Sequence, residues 1–251
     1  MNFSFGIKFI DVESQYCLFP ERLVSRIKSN SISESDYNNV VIELLSEESI
    51  SFSSPSLICS SLFFPWGGLK HSNHDEYIHV SVRYALANGW DCIEEEIRFL
   101  EIKIHYDDII AEEVHLTPFS SMDWDLISHN AHIVEDKLLQ QTSIVQVGGK
   151  FPITIDNINK KCATFIATRV KLVQNHNSLS PSLSYARLAR DTLLIIKPPP
   201  DAYQENSNQN NRKNKRKKKE EIMDKEVVLL MAHVPLRVMP TSFRYFRYLQ
   251  S

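Results

Sequence analysis

His129 and His132 stand three residues apart in ISHNAHIVEDKLL, a spacing that on a helix can bring two imidazoles toward one metal ion. A bound metal needs three or four ligands. HNAH offers two, no third ligand lies at a suitable spacing, and HExxH is absent. His71 and His74 flank a Ser-Asn loop and are no better supplied. QVGGKF, residues 146–151, is the nearest approach to a phosphate-cradling loop. It lacks the first glycine, has no Ser or Thr after Lys150, and opens a strand rather than a helix, so it reads as a tight turn. The carboxylates Glu94, Glu95 and Glu96, like Asp107 and Asp108, border elements and read as solvated surface rather than acids in an apolar setting. No nucleophile stands with a base and an orienting partner, and neither GxGxxG nor GxSxG occurs. The expectation is a chain with no catalytic, cofactor-binding or metal-binding residue.

The elements around these residues follow from periodicity. Trp124, Ile127, Ala131, Val134 and Leu138 recur at steps of three and four, which predicts one amphipathic helix within 118–145. Ser120 serves as its N-cap, with Asp123 three residues on. Both histidines fall off the stripe, so they read as polar-face residues. FSFGIKFI alternates with period two and predicts a strand, as do NNVVIELL, SLICSSLFF, YIHV and EIRFLEIKI. FPERLVSRIKS and SVRYALANGW read as short helices, the second stopped by Asn88-Gly89. PWGGLKHSNHDE reads as a turn-rich break. Residues 1–105 then suit a small mixed β-barrel. A boundary falls near Tyr106–Glu112. SIVQV, FPITI, CATFIATRVKL and TLLIIK predict strands, with Gly148-Gly149 as a hairpin-like turn. Residues 113–197 form a second β-rich unit of one helix on a few strands.

The net charge of −3 conceals two opposite halves. Residues 1–211 carry 17 Lys+Arg against 27 Asp+Glu, while residues 212–251 carry 11 against 4. The acidic body repels nucleic acid and anionic lipid. The run RKNKRKKK at 212–219 could bind nucleic acid or an anionic surface, the alternative function for this chain, but it has no interleaved aromatics for stacking. It reads better as part of a disordered polar linker, 199–226, followed by an incomplete C-terminal segment, 227–251. No apolar run reaches the ~20 residues of a membrane span, and the first residues lack the pattern of a secretory signal. Cys17, Cys59, Cys92 and Cys162 are widely spaced, as fits buried thiols in a reducing compartment.

Two stretches carry a family resemblance: CLFPERLVSRI at 17–27, weakly, and EEVHLTPFSSMDWDLISHNAHIVEDKLLQQTSIVQVGGKFPITI with SYARLARDTLLIIKP, strongly. They resemble the N-terminal domain of the peroxin-1 family of peroxisome-biogenesis AAA ATPases. The matching residues are Pro118, Asp123, Trp124, Phe151, Pro152, Arg187, Leu188, Asp191, Thr192 and Pro198. The resemblance implies a mainly β, two-lobed (α+β) AAA N-domain: a double-psi β-barrel over 1–105, then a small barrel-like lobe with one prominent helix over 112–198. It implies a non-catalytic domain that docks a protein adaptor or substrate in the groove between lobes. The parent enzyme pairs with peroxin-6 in a hetero-hexamer that recycles the matrix-protein import receptor, cytoplasmic and peripheral at the peroxisomal membrane. ATP and Mg belong to that full-length ATPase. This chain has neither Walker A nor Walker B, which leads one to expect a fragment or truncated form of it. Groove residues cannot be named, because a groove gathers residues distant in sequence.

Overall fold

The computed structural model describes residues 2–29, 39–45, 61–70, 76–106, 109–156, 158–159, 161–173, 185–200 and 227–230. His71, His74, Asp107, Asp108, Cys59 and the basic run 212–219 lie outside the described residues, as does most of the expected linker.

The first lobe is a closed barrel of six strands: β1 (Asn2–Ile10), β2 (Cys17–Phe19), β3 (Val41–Leu45), β4 (Ser61–Lys70), β5 (Ile78–Ser81) and β6 (Ile97–His105), in the order β1-β5-β2-β4-β3-β6. The pairs β1–β5 and β2–β4 are parallel and the rest antiparallel. Closure leaves no free edge among the described strands of this lobe. Alternation in β1 points Ile7 and Phe9 inward, both fully buried. Phe19 and Trp66 stack inside the barrel at 4.8 Å between centroids. Helix α1 (Glu21–Ser29) follows Pro20, whose fixed φ suits a helix start, and it buries Leu23, Val24 and Ile27 on one side. Helix α2 (Val82–Ala87) is capped by the Ser81 hydroxyl, which accepts from the Tyr84 N–H, and it ends at Asn88 before Gly89 at φ 86°.

Two stretches of this lobe differ from the sequence expectation. PWGGLK is not a break but the second half of β4. Pro65 is tolerated because there the strand changes partners, leaving the β3 ladder at Val41 and joining β2 at Trp66. CLF forms β2, too short at three residues to show a period.

The second lobe is a five-stranded sheet, β13-β12-β7-β10-β9, with a two-stranded ladder β11-β8 beside it. Its strands are β7 (Ala111–Pro118), β8 (Ile144–Val145), β9 (Lys150–Asp156), β10 (Lys161–Leu172), β11 (Ala186–Arg187), β12 (Leu193–Ile196) and β13 (Val227–Leu230). AEEVHLTP, Ala111–Pro118, forms the central strand β7. Val114, Leu116 and Pro118 face inward, while Glu112 pairs with Lys171 at 2.8 Å and Glu113 with His115 at 2.6 Å. The expected incomplete segment contributes β13, antiparallel to β12.

The predicted single helix is two, α3 (Ser121–His129) and α4 (Ala131–Gln141). Asn130 interrupts it at φ −127°, ψ 27°. Its side-chain amide donates to the Leu126 carbonyl at 2.7 Å, competing with the helical ladder. The stripe survives the break: Ile127, Val134 and Leu138 are buried and Trp124 packs against the core. Ser120 caps α3 by accepting from the Asp123 N–H at 3.1 Å. Gly148-Gly149 makes a turn but not a hairpin, because β8 pairs with β11 while β9 pairs with β10. The turn instead docks on β10 through the Gly148 N–H to the Ala167 carbonyl, 2.8 Å.

Candidate docking surface at the lobe junction

The sequence-flagged polar residues do not converge. His129 and His132 are exposed, one on each side of the Asn130 break, and the His129 Nδ1 lies 2.6 Å from the Asp125 carbonyl of its own helix. Among the described residues, no group of three His, Cys, Asp or Glu is placed to hold a metal ion. Glu96 is held below its usual carboxylate range by the Arg98 guanidinium and the Ile93 N–H, and Glu95 pairs with Lys8 at 2.7 Å. Lys150, of the phosphate-loop near-miss, lays its ammonium over the Phe119 ring at 4.5 Å. Burial pushes the Cys17 thiol well above its ordinary value and Cys92 up to about 11, so neither is a poised nucleophile.

What the fold does bring together is a set of carboxamides between the lobes. Gln15 follows β1 and is 2% exposed. Its backbone N–H donates to the Gln141 carbonyl at 2.7 Å. Its side-chain Nε2 donates back into the barrel, to the Phe63 carbonyl at 3.1 Å. Its Oε1 accepts from the Ser143 and Ile144 N–H groups at 3.3 and 3.2 Å. One amide thus satisfies three buried backbone groups drawn from both lobes, which otherwise carry a desolvation cost.

Asn88, at the end of α2, pairs with Lys150 of β9 in both directions. Its Nδ2 donates to the Lys150 carbonyl at 2.7 Å and its Oδ1 accepts the Lys150 N–H at 2.8 Å. Gln141, at the end of α4, does the same for Thr154, at 2.9 and 2.8 Å. Arg83 of α2 forms a bidentate pair with Asp11 and also reaches the Thr154 hydroxyl at 3.3 Å. An apolar plug completes the junction: Val41 and Phe63 of the barrel against Ile144 and Tyr185, with Phe63 and Tyr185 rings 4.8 Å apart. His105 lies against the same pair and hydrogen-bonds Glu43 at 2.8 Å.

Exposed apolar side chains lie along the chain next to these bonds. Leu86 is two residues before Asn88 and Val147 three before Lys150; Phe119 is the ring under the Lys150 ammonium. All three are more than half exposed. A locked junction with exposed apolar side chains close along the chain is suited to recognition by contact. Sequence reasoning missed every one of these groups as functional, since the pairs are separated by up to 129 residues and form no motif.

The residues behind the family resemblance serve the architecture of the second lobe. Phe151 is buried in its core, and Pro152 sits between the two capped positions of β9. Asp123 Oδ1 accepts from the Thr164 N–H, tying α3 to β10. Thr192, 1% exposed, donates its hydroxyl to the Ala111 carbonyl at 2.7 Å and accepts the Ala189 N–H at 2.8 Å, fastening the approach to β12 onto β7. The Leu188 N–H donates to the Ser143 carbonyl.

No match to a curated protein was found. Residues 112–198, from β7 through the end of β12, match the family described as peroxisome biogenesis factor 1, N-terminal. Over residues 112–198 the second lobe is therefore similar to the peroxisome biogenesis factor 1 N-terminal domain.

Proposed function

We propose that the chain is a docking module of the peroxin-1 type. It presents a protein adaptor or substrate to ATPase modules and performs no chemistry itself. The observation that carries this is the junction. Two lobes are fixed to each other by buried amide-to-backbone bonds, and exposed Leu86, Phe119 and Val147 line the sequence beside it. A surface already rigid before the partner arrives loses little entropy on binding. On this reading the partner lies against the groove between lobes. The parent complex is the hetero-hexamer with peroxin-6, and the work is recycling of the matrix-protein import receptor. ATP and Mg are then held by ATPase modules, with none bound by this chain. Action is cytoplasmic, peripheral at the peroxisomal membrane. Among the described residues no helix is long and apolar enough to cross a membrane.

The test is a chimera in cells lacking peroxin-1, with this chain placed ahead of the ATPase modules and matrix-protein import scored. The double variant L86D/F119D alters two exposed side chains. It should leave hexamer assembly and ATP turnover intact while import falls at least ~10-fold, as for loss of a central apolar anchor worth more than about 1.4 kcal/mol. Import equal to that of the unmodified chimera would remove the junction from the docking surface.

A further inference from the structure

Strand alternation normally leaves polar side chains on the outward face of a barrel wall. The wall made by β5, β1 and β6 departs from this. Leu100 and Ile102 of β6 are buried inward, so Ile97, Phe99 and Glu101 point outward; Ile97 is exposed and Phe99 is 68% exposed. Register sets Phe99 opposite Gly6, Ile97 opposite Lys8 and Glu101 opposite Ser4 of β1. Tyr77, just before β5, lies over Gly6: a Cβ there would meet its Cδ1 at 2.5 Å and the Phe99 Cε1 at 3.5 Å. Tyr77 thus covers the glycine, and Phe99 adds an edge contact while most of its ring stays in water.

The wall is also fixed and acidic. The turn before β6, which carries exposed Ile93, closes on β1: the Glu95 N–H donates to the Phe9 carbonyl at 2.7 Å, and the Phe9 N–H to the Glu96 carbonyl at 3.0 Å. The nearby cations are engaged. Lys8 pairs with Glu95 at 2.7 Å, Arg98 with Glu96 at 2.7 Å, and Lys103 lies 3.7 Å from Glu43. Glu76, Asp91, Glu94 and Glu101 are exposed, and among the described residues no cation pairs with them.

We propose that this wall is a second docking surface, occupied by a partner-protein segment that carries an arginine beside an aliphatic residue. The guanidinium lies on the Phe99 ring with its charge toward Glu101, about 7 Å along the strand, and the aliphatic side chain packs on Ile97. Arginine suits the place better than lysine, because a planar guanidinium both stacks on a ring and forks onto a carboxylate. The unpaired acids give the charge complementarity, and they repel nucleic acid and anionic lipid. This reading goes beyond the junction, whose bonds come from Gln15, Arg83, Asn88 and Gln141 rather than from this wall.

The probe is a library of random heptapeptides displayed on phage, depleted on F99S and then selected on the full wild-type chain. F99S alters an outward side chain and should melt within about 2 °C of wild type. Enriched peptides should carry Arg next to Leu, Ile or Val. Synthetic copies should bind wild type at least ~10-fold more tightly than F99S or E101R by fluorescence anisotropy, and should weaken as salt rises. The peptide RKNKRKKK, basic but without an aliphatic residue, should bind at least ~10-fold more weakly than they do. L86D/F119D should bind them as wild type does, so failure at this wall and failure at the junction are read separately. No enrichment after depletion, enriched peptides without arginine, or equal binding of RKNKRKKK overturns the proposal. A concentration-dependent dimer abolished by F99S would assign the wall to a second copy of the chain and overturn it too.

Discussion

Replacing Gln15 tests whether the lobes are held by the amide junction or merely touch. Its side chain makes three bonds: to the Phe63 carbonyl at 3.1 Å and from the Ser143 and Ile144 N–H groups at 3.3 and 3.2 Å. Each intramolecular bond contributes about 1 kcal/mol net, and a buried group left without its partner costs about 1–3 kcal/mol. The N–H donors belong to Ser143 and Ile144, 6% and 1% exposed, so water cannot readily replace the lost acceptor. Q15M keeps the volume and removes the polar atoms. It should destabilise the chain by about 3–5 kcal/mol, equivalent to roughly 10 °C in Tm for a protein of this size. Q15A adds a cavity and should cost about 1 kcal/mol more. Urea unfolding gives the stability. Hydrogen exchange at Ser143 and Ile144 gives the location, with local acceleration of roughly 100-fold for about 3 kcal/mol. A Q15M midpoint corresponding to less than about 1 kcal/mol, or exchange that accelerates uniformly rather than at the junction, would refute the reasoning.

Other perturbations read different parts of the fold. A Cβ at Gly6 would meet Tyr77 Cδ1 at 2.5 Å and Cε1 at 2.9 Å, so G6A should cost about 1–3 kcal/mol in thermal melts, and adding Y77A should recover part of it. N88A strips both backbone groups of Lys150; about 2–4 kcal/mol of lost stability and concentration-dependent aggregation by light scattering are expected, because the β9 edge opens. Glu43 is held below its ordinary 4.5 chiefly by the hydrogen bond from His105. A lowered folded value contributes stability above the ordinary carboxylate range, lost as pH falls below it, so the wild type should lose more stability than E43Q between pH 6 and about 3 in urea titrations. Cys92 is buried with its thiol pushed up to about 11, and Cys162 is exposed though its thiol too is raised, so mass spectrometry after brief iodoacetamide treatment should find Cys92 labelled more slowly than Cys162.

Much of the fold was legible where one physical signal dominated. Period two in FSFGIKFI and EIRFLEIKI marks strands with one buried face, and the i, i+3, i+4 stripe through Ile127, Val134 and Leu138 marks the helical core face. It failed where two signals competed. In AEEVHLTP the inward Val114 and Leu116 alternate with Glu113 and His115, which pair with each other along the strand, so a central strand reads as a polar, acidic stretch. In PWGGLK the breakers are real, yet they sit where β4 exchanges partners, and that exchange is a property of the closed barrel. The Asn130 break is hidden because its cause is one side-chain bond to Leu126. The candidate site was not legible at all. Gln15, Asn88, Gln141 and Thr154 are ordinary polar residues in sequence. Only the fold sets carboxamides against backbone groups 13 to 129 residues away.

Those carboxamides explain why the second lobe needs the first. A primary amide sets an N–H donor beside a carbonyl acceptor in nearly the spacing of a backbone unit, so Asn88 and Gln141 pair with β9 as a neighbouring strand would. They cannot extend the ladder further, and Pro152 removes the donor between them. The edge is closed without offering a new one. Gln141 comes from the second lobe, but Asn88 comes from α2 of the barrel. Without the barrel, Lys150 would face solvent with two open groups at the end of a β-strand, next to exposed Phe119 and Val147. An open edge flanked by apolar side chains is an aggregation site. The barrel therefore converts a hazardous edge into a fixed junction.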